Sequence, residues 1–285
     1  MISTKTNYSI LSQISSQNAL AKQISQLQES VTSGKRLSAP SDDPAAAQRI
    51  SEIRTTQADQ VVWTNNTNMG TSIASAVDTS LSSLQDMLNR AKELVLSGRN
   101  DTTSTTDRTA ITSELQSIIS SLDAASTATD PTGAPLYPTG SPLQIPVSDT
   151  QNLPATASRT AVFGGITTAN GTQTLQQILG DAITAINGNA TTRATDIQTS
   201  LDAIDAGTAQ VTQVRADQGV RMQHFDAAKD ALDTSGENLS EERNGLESTD
   251  LTYAVSEFTA KQTSLQAAQT MFAQTNKSTL FDLMG

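Results

Sequence analysis

The chain has 285 residues, a formal net charge of −11 and only 3% aromatic residues. An acidic balance argues against a nucleic-acid partner, the absence of cysteine excludes disulfides and thiolate metal centres, and no run approaches the roughly 18–20 apolar residues that cross a membrane. An apolar fraction of 36% is thin for a globule of this length and fits layers of long helices, in which each residue has few buried neighbours.

The first predicted helix covers residues 8–33. Ile10, Ile14, Ala21, Ile24 and Val31 recur on a heptad-like face, with Gln17 and Gln28 filling the same pattern. Gly34 is the expected stop. In the turn that follows, Asp43 before Pro44 forms an N-cap and first-turn proline pair. Asp42 and Asp43 could bind a cation, but capping is the preferred reading. A second helix is expected from Pro44 to about Ser97 on Ile73, Val77, Leu81, Leu84, Leu88, Ala91 and Val95, with Trp63 as a packing residue. Its length far exceeds the mean of about 11–12 residues and argues for a rod-like bundle. After the polar loop at 100–107, Ile111, Leu115, Ile118, Ile119 and Leu122 define a third helix.

Residues 130–170 break the pattern, with six of the eight prolines among them. Short apolar runs around Ile145, Val147, Val162 and Ile166 predict a small β-rich or irregular insert. Helical periodicity resumes at Thr172 with Leu175, Ile178, Leu179, Ile183 and Ile186, and stops at Gly188. A long helix is expected over about 191–234 on Ile197, Leu201, Ile204, Val211, Val214, Met222, Phe225 and Leu232. Gly236 is expected to interrupt it before a short piece carrying Leu239 and Leu246, where Gly245 costs about 1 kcal/mol relative to Ala.

The tail helix begins at Thr249 or Asp250 as cap. Leu251, Val255, Phe258, Leu265 and Phe272 mark its apolar face, and Leu280 and Phe281 close it. The expected fold is mainly α: an elongated bundle of long helices with paired N- and C-terminal coiled-coil helices and a small β-rich insert. The expected segments are an N-terminal coiled-coil helix at 1–38, a helical rod at 39–129, the insert at 130–171, the second rod segment at 172–238 and a C-terminal coiled-coil helix at 239–285. Both terminal stripes are thin. A buried aliphatic side chain contributes about 1.5–3 kcal/mol, and ordering the backbone costs about 1–2 kcal/mol per residue. Both ends are therefore expected to be disordered in the isolated monomer and to order only against neighbouring subunits, in a homo-oligomer.

Little in the chain suggests chemistry. The single histidine, His224, lies next to Phe225 on a helix, and with no cysteine and no second histidine in the chain a metal site or a Ser-His-Asp triad is disfavoured. Gly34-Lys35 lacks the flanking residues of a phosphate loop. Asp130, Asp149 and Arg159 are the charged residues of the insert, which has no His, Cys or Glu, so an enzymatic centre there is disfavoured. Glu241, Glu242 and Arg243 read as solvated or locally paired. The sequon Asn170-Gly171-Thr172 is of a kind common by chance in so Asn- and Thr-rich a chain. No cofactor is called for.

Two stretches carry a family resemblance. SGKRLSAPSDDPAAAQRI, residues 33–50, resembles the spoke segment of bacterial flagellins and flagellin-like hook-associated proteins. EFTAKQTSLQAAQTMFAQTNKSTLFDLM, residues 257–284, resembles their C-terminal helix. The resemblance covers about 1–125 and 195–285. Within the family, Gly34-Lys35-Arg36 followed by Ser41-Asp42-Asp43-Pro44, and the ending Leu280-Phe281-Asp282-Leu283, resemble the hook–filament junction class. Glu257-Phe258-Thr259 resembles the filament type, so a filament-forming flagellin stands as the alternative.

The resemblance implies a structural, non-enzymatic flagellar component, extracellular and exported unfolded through the flagellar type III apparatus without a cleaved signal peptide. It implies an inner layer of paired terminal helices, with Ile10, Ile14, Ala21, Ile24, Val31, Leu251, Val255, Phe258, Leu265, Phe272, Leu280 and Phe281 at the assembly interface. Lys35, Arg36, Asp42 and Asp43 would make the spoke contacts. Implied partners are further copies, a neighbouring junction protein, flagellin, and an export chaperone on the C-terminal helix, with no nucleic acid and no membrane.

Overall fold

The computed structural model describes residues 2–100, 104–130 and 132–282, and side chains over 8, 10–100, 104–130 and 132–274. Seven helices and two β-hairpins follow one another among the described residues. They are α1 (Ile2–Ser33), α2 (Pro44–Gly98), α3 (Thr105–Ser126), β1 (Gln144–Pro146), β2 (Asn152–Pro154), α4 (Arg159–Phe163), β3 (Ile166–Thr168), β4 (Gly171–Gln173), α5 (Leu175–Asn187), α6 (Arg193–Glu247) and α7 (Leu251–Asp282). They form two compact units, Met1–Ala58 with Gly236–Gly285, and Asp59–Ser235. Both α2 and α6 contribute residues to each.

In the larger unit the stripes read from the sequence close into one core. Leu81, Leu84 and Leu88 of α2, Leu115 and Leu122 of α3, Ile178 and Leu179 of α5, and Ile204 and Val211 of α6 are all fully buried. α3 packs on α5. Ser104 caps α3 in a capping box with Asp107, and Thr174 caps α5 in another with Gln177. Glycines let the helices approach closely. A Cβ at Gly70 of α2 would lie 2.3 Å from Phe225 Cε1 of α6, and one at Gly207 of α6 would lie 2.7 Å from Leu175 Cδ2 of α5.

The insert is two antiparallel two-stranded hairpins, β1 with β2 and β3 with β4, joined through the short α4. Its apolar side chains complete the same core. Tyr137 and Phe163 meet edge to face at 5.2 Å, and burial pushes the Tyr137 phenol up to about 12. Glutamines of α6 fasten the insert through its backbone. Gln218 Nε2 donates to Ala74 O at 3.2 Å and to Ala155 O at 2.9 Å. Gln210 Nε2 donates to Ala161 O at 2.9 Å and to Gly164 O at 2.7 Å.

Besides α1, which begins at Ile2 and not at residue 8, two boundaries differ from the sequence reading. Residues 171–173 are strand β4, and helix α5 starts at Leu175. Gly171 has φ +104, which the turn into β4 requires and a β-carbon would resist, and the Thr174 cap sets the start of the helix. The second difference is α6, which runs unbroken through Gly236 and Gly245 to Glu247. Bonds to α2 hold it there: Gln57 Nε2 donates to Ser240 Oγ at 3.1 Å, and Arg49 pairs with Glu242. Tertiary bonding outweighs the helix-propensity cost of about 1 kcal/mol per glycine.

Candidate assembly surface

The smaller unit is built around a knot between the two connectors that flank its terminal helices. Gly34, at φ +68, ends α1 in the left-handed conformation that a non-glycine residue adopts only with strain. The chain then pairs antiparallel with the α6–α7 connector at Lys35 and Ser248. Arg36 N donates to Glu247 O at 2.7 Å, and Thr249 N donates to Gly34 O at 3.0 Å. The end of α1 is thereby fixed to the start of α7, which Asp250 caps by accepting from Thr252 N and Tyr253 N at 2.9 and 3.0 Å.

The acidic pair of the spoke divides its work. Asp43 Oδ1 accepts from Ala46 N at 3.1 Å and caps α2, while its other oxygen pairs with Arg36 at 3.4 Å. Asp42 caps no helix. Its Oδ2 accepts from Ala39 N at 2.9 Å, Ser38 Oγ at 3.1 Å and Ser38 N at 3.2 Å, which closes the turn. The Ala39 N–H first, and then the Ser38 hydroxyl, hold this carboxyl below the usual Asp range. Lys35 is exposed, and beside it Leu37, Pro40 and Ile50 line a hollow of about 240 Å³ with Arg54 and Glu247 at its edge.

Glu242 is not locally paired. Both its oxygens accept from Arg49 of α2, at 2.6 and 2.9 Å, and that guanidinium holds the Glu242 carboxyl below the usual range. Arg54 pairs with Glu247 at 2.7 Å. Arg243 donates to Gln57 Oε1 at 2.8 Å, and Glu241 is exposed.

Helices α1 and α7 pack along each other. The half-buried positions of α1 include Ile10, Gln17, Leu20, Ile24, Leu27 and Val31. Those of α7 include Phe258, Lys261, Leu265, Ala268 and Phe272, in line with the buried Ala254. From Gln17 in α1 and from Ala254 in α7 the steps alternate between three and four, the spacing of a coiled-coil seam, and Ile10 lies one heptad before Gln17. Two polar bonds cross it: Gln17 Nε2 donates to Ala268 O at 3.4 Å, and Lys261 Nζ donates to Gln23 Oε1 at 2.9 Å.

This seam divides the residues singled out from the sequence. Ile10, Ile24, Val31, Phe258, Leu265 and Phe272 lie on it. Ile14, Ala21, Leu251 and Val255 do not; they are exposed, Ile14 by 41%, Leu251 by 51% and Val255 by 46%. With about 100° per residue, Ile14 sits roughly 80° from Ile24 round the helix. The sequence reading centred its stripe on one edge of the true seam and missed Leu20, Leu27, Ala254 and Ala268. Their regular spacing was the available signal. Leu280 and Phe281 fall in the last turn of α7, with side chains outside the described residues.

The remaining candidates form no reaction centre among the described residues. His224 is exposed, and no group of three His, Cys, Asp or Glu side chains is placed to hold a metal ion. Asp130 accepts from Thr132 Oγ1, Thr132 N and Ala134 N within its own turn, and Asp149 is exposed at the tip of the β1–β2 hairpin. No helix among the described residues is long and apolar enough to cross a membrane.

Two family models match the chain: the bacterial flagellin N-terminal helical region over residues 2–137 and the bacterial flagellin C-terminal helical region over 201–284. A comparison with curated proteins finds no match. Among solved structures, a protein assigned to the flagellar hook-associated class from Vibrio parahaemolyticus superposes with a TM-score of 0.65 at 18% identity, covering 73% of this chain and 100% of that one. Flagellar hook-associated protein 3 of Legionella pneumophila gives 0.61 at 12% identity, covering 69% and 98%. FlgL of Xanthomonas campestris gives 0.56 at 15% identity, covering 67% and 98%. At these identities the structural likeness speaks for the fold.

Proposed function

The chain belongs to the bacterial flagellin family, and from that premise we propose that it is a structural subunit of the flagellum, an adaptor at the junction between hook and filament. The observation that carries the reading is the terminal helix pair. Its seam occupies one flank of α1 and α7 and leaves Ile14, Ala21, Leu251 and Val255 exposed on the other. Exposed aliphatic side chains in line on paired helices suit burial against further copies in a ring or helical layer. The proposed interface is these four residues with Leu280 and Phe281, supported from behind by the seam residues. Lys35 and the Asp42 turn face neighbouring subunits at the spoke. A junction role, as opposed to filament formation, is favoured by the spoke motif and by likeness in fold to hook-associated and FlgL proteins.

The further partners of this reading are a neighbouring junction protein, flagellin, and an export chaperone on α7, with the mature protein extracellular on the flagellum. Labelled protein added to flagella stripped to their hooks tests it. Binding confined to hook tips, followed there by filament growth, is the expected result. Growth of long tubes from the purified protein alone would replace the adaptor reading with the filament one.

A further inference from the structure

We propose that the cavity between α3, α4 and the start of α5 is a binding site for a small organic carboxylate, with Arg159 as its anchor. The cavity measures about 350 Å³, and Ser126, Arg159, Thr160, Phe163, Thr174 and Gln176 line it. That volume lies near the lower end of the roughly 300–1,000 Å³ of ligand pockets.

The side chain of Arg159 is the unusual feature. The backbone at this position is engaged, Arg159 N donating to Pro138 O at 2.9 Å. Its guanidinium is not. Nε is buried with no hydrogen-bond partner, and the head group pairs with no described carboxylate. Arg36, Arg49, Arg54, Arg90 and Arg215 all sit in ion pairs. Arg193 and Arg243 also bury an unpartnered Nε, but each bonds through a terminal nitrogen, Arg193 to Gly188 O at 3.0 Å and Arg243 to Gln57 Oε1 at 2.8 Å. A buried N–H without an acceptor costs free energy that a ligand oxygen would recover, and the planar fork of a guanidinium matches the two oxygens of a carboxylate.

The rest of the wall fits that ligand. The Thr174 hydroxyl accepts from Gln177 N at 3.2 Å, which leaves its own proton to donate. The Ser126 hydroxyl donates to Asp123 O and Gln176 Nε2 donates to Asp123 Oδ1 at 3.1 Å, so both side chains are held toward α3 and neither is bonded to Arg159. Phe163, which is 3% exposed, supplies an apolar wall. Donors at one side and an aromatic ring at the other select an anionic head on an apolar body. In a chain of net charge −11, an uncompensated arginine in a cavity is a local reversal of the prevailing field. The carboxylate can arrive as a free small molecule or on an Asp or Glu side chain of a second copy.

Arginine modification by phenylglyoxal, mapped by mass spectrometry on the full-length chain, tests the site. Benzoate is expected to slow modification of Arg159 severalfold while leaving exposed Arg54 unchanged, and the neutral isostere benzamide is expected to protect neither. Protection of Arg159 that rises with protein concentration, without benzoate, assigns the carboxylate to a second copy. Arg159→Gln, checked for a native melt, should bind benzoate about tenfold or more weakly, the scale of a lost charge-assisted pair. Equal modification of Arg159 under all these conditions overturns the proposal, as does unchanged benzoate affinity in a folded Arg159→Gln chain.

Discussion

The division of the terminal helices into a closed flank and an open flank gives its sharpest test in the double substitution Leu251→Ser with Val255→Ser. Leu251 is 51% and Val255 46% exposed, so about half of each side chain is still available for burial. Full burial of such residues contributes about 1.5–3 kcal/mol each, which leaves about 1.5–3 kcal/mol for the pair when a neighbouring subunit covers them. That corresponds to a loss of about tenfold to a hundredfold in affinity for the assembly site. The isolated chain should barely notice, since surface substitutions of this kind fall within about 0.5 kcal/mol each.

The assay is paired. Co-sedimentation with purified hooks reads assembly, and thermal melting by circular dichroism reads the monomer. Leu265→Ala serves as the contrast, because Leu265 is half-buried on the seam and its loss should register as weaker α1–α7 pairing in the monomer itself. The reasoning is refuted if the serine pair destabilises the isolated chain as much as Leu265→Ala does. It is equally refuted if hook binding is unchanged.

Further expectations concern the larger unit and the spoke. Gly70→Ala places a methyl 2.3 Å from Phe225 Cε1 and should destabilise the chain by about 1–3 kcal/mol through overpacking; adding Phe225→Leu should recover part of that loss in a denaturant titration. Gln218→Met keeps the volume and removes the donors to Ala74 O and Ala155 O, at a cost of about 1–3 kcal/mol, visible as faster amide exchange in residues 144–157. In acid the spoke should loosen. Asp42 and Glu242 both have folded values below their usual 3.8 and 4.5, so their contribution is complete above those values and is lost as pH falls through the lower folded ones. Asp42→Asn should remove its share of that acid transition in a fluorescence or dichroism titration. Finally, amide exchange in dilute monomer should be much faster in α1 and α7 than in α5, because the terminal seam is half-buried whereas the α5 core is closed.

What the sequence made legible follows from where periodicity is the only physics at work. The stripes of α2, α3, α5 and α6 faced the core as read, because Leu81, Leu115, Ile178 and Ile204 each recur at helical spacing beside unambiguous polar neighbours. Gly236 misled because propensity is local, and the bonds from Gln57 and Arg49 that carry α6 past it come from residues more than 180 positions away. Thr172 misled because an apolar pattern starting at Leu175 says nothing about its approach, and a turn at Gly171 turns the preceding residues into a strand. The seam was half legible. Ile10, Gln17 and Phe258 were placed on it, and Leu20 and Leu27 were readable from their spacing but passed over, whereas Ala254, Lys261 and Ala268 carry little hydrophobic signal and could not mark its true centre. The cavity around Arg159 was invisible, since it gathers residues from 126 to 176 through the insert's turns.

The polar members of that seam argue for what the terminal pair is built to do. A seam of leucine alone would be more stable and would tolerate sliding by a heptad. Gln17 reaching a backbone carbonyl of α7, and Lys261 held between Glu257 at 3.3 Å and Gln23, are satisfied in one alignment of the two helices. Polar residues at such positions reduce stability and specify register. Register has a geometric consequence here. It fixes Ile14 and Ala21 relative to Leu251 and Val255, so the open flank has one pattern of apolar side chains. The backbone knot of Arg36 with Glu247 and Gly34 with Thr249 sets the same register from the other end. If this is the purpose, Gln17→Leu with Lys261→Leu should raise the melting temperature of the terminal pair while lowering the fraction of chains that bind hook ends. A variant that melts higher and assembles as well as the parent would show that the polar seam serves only solubility.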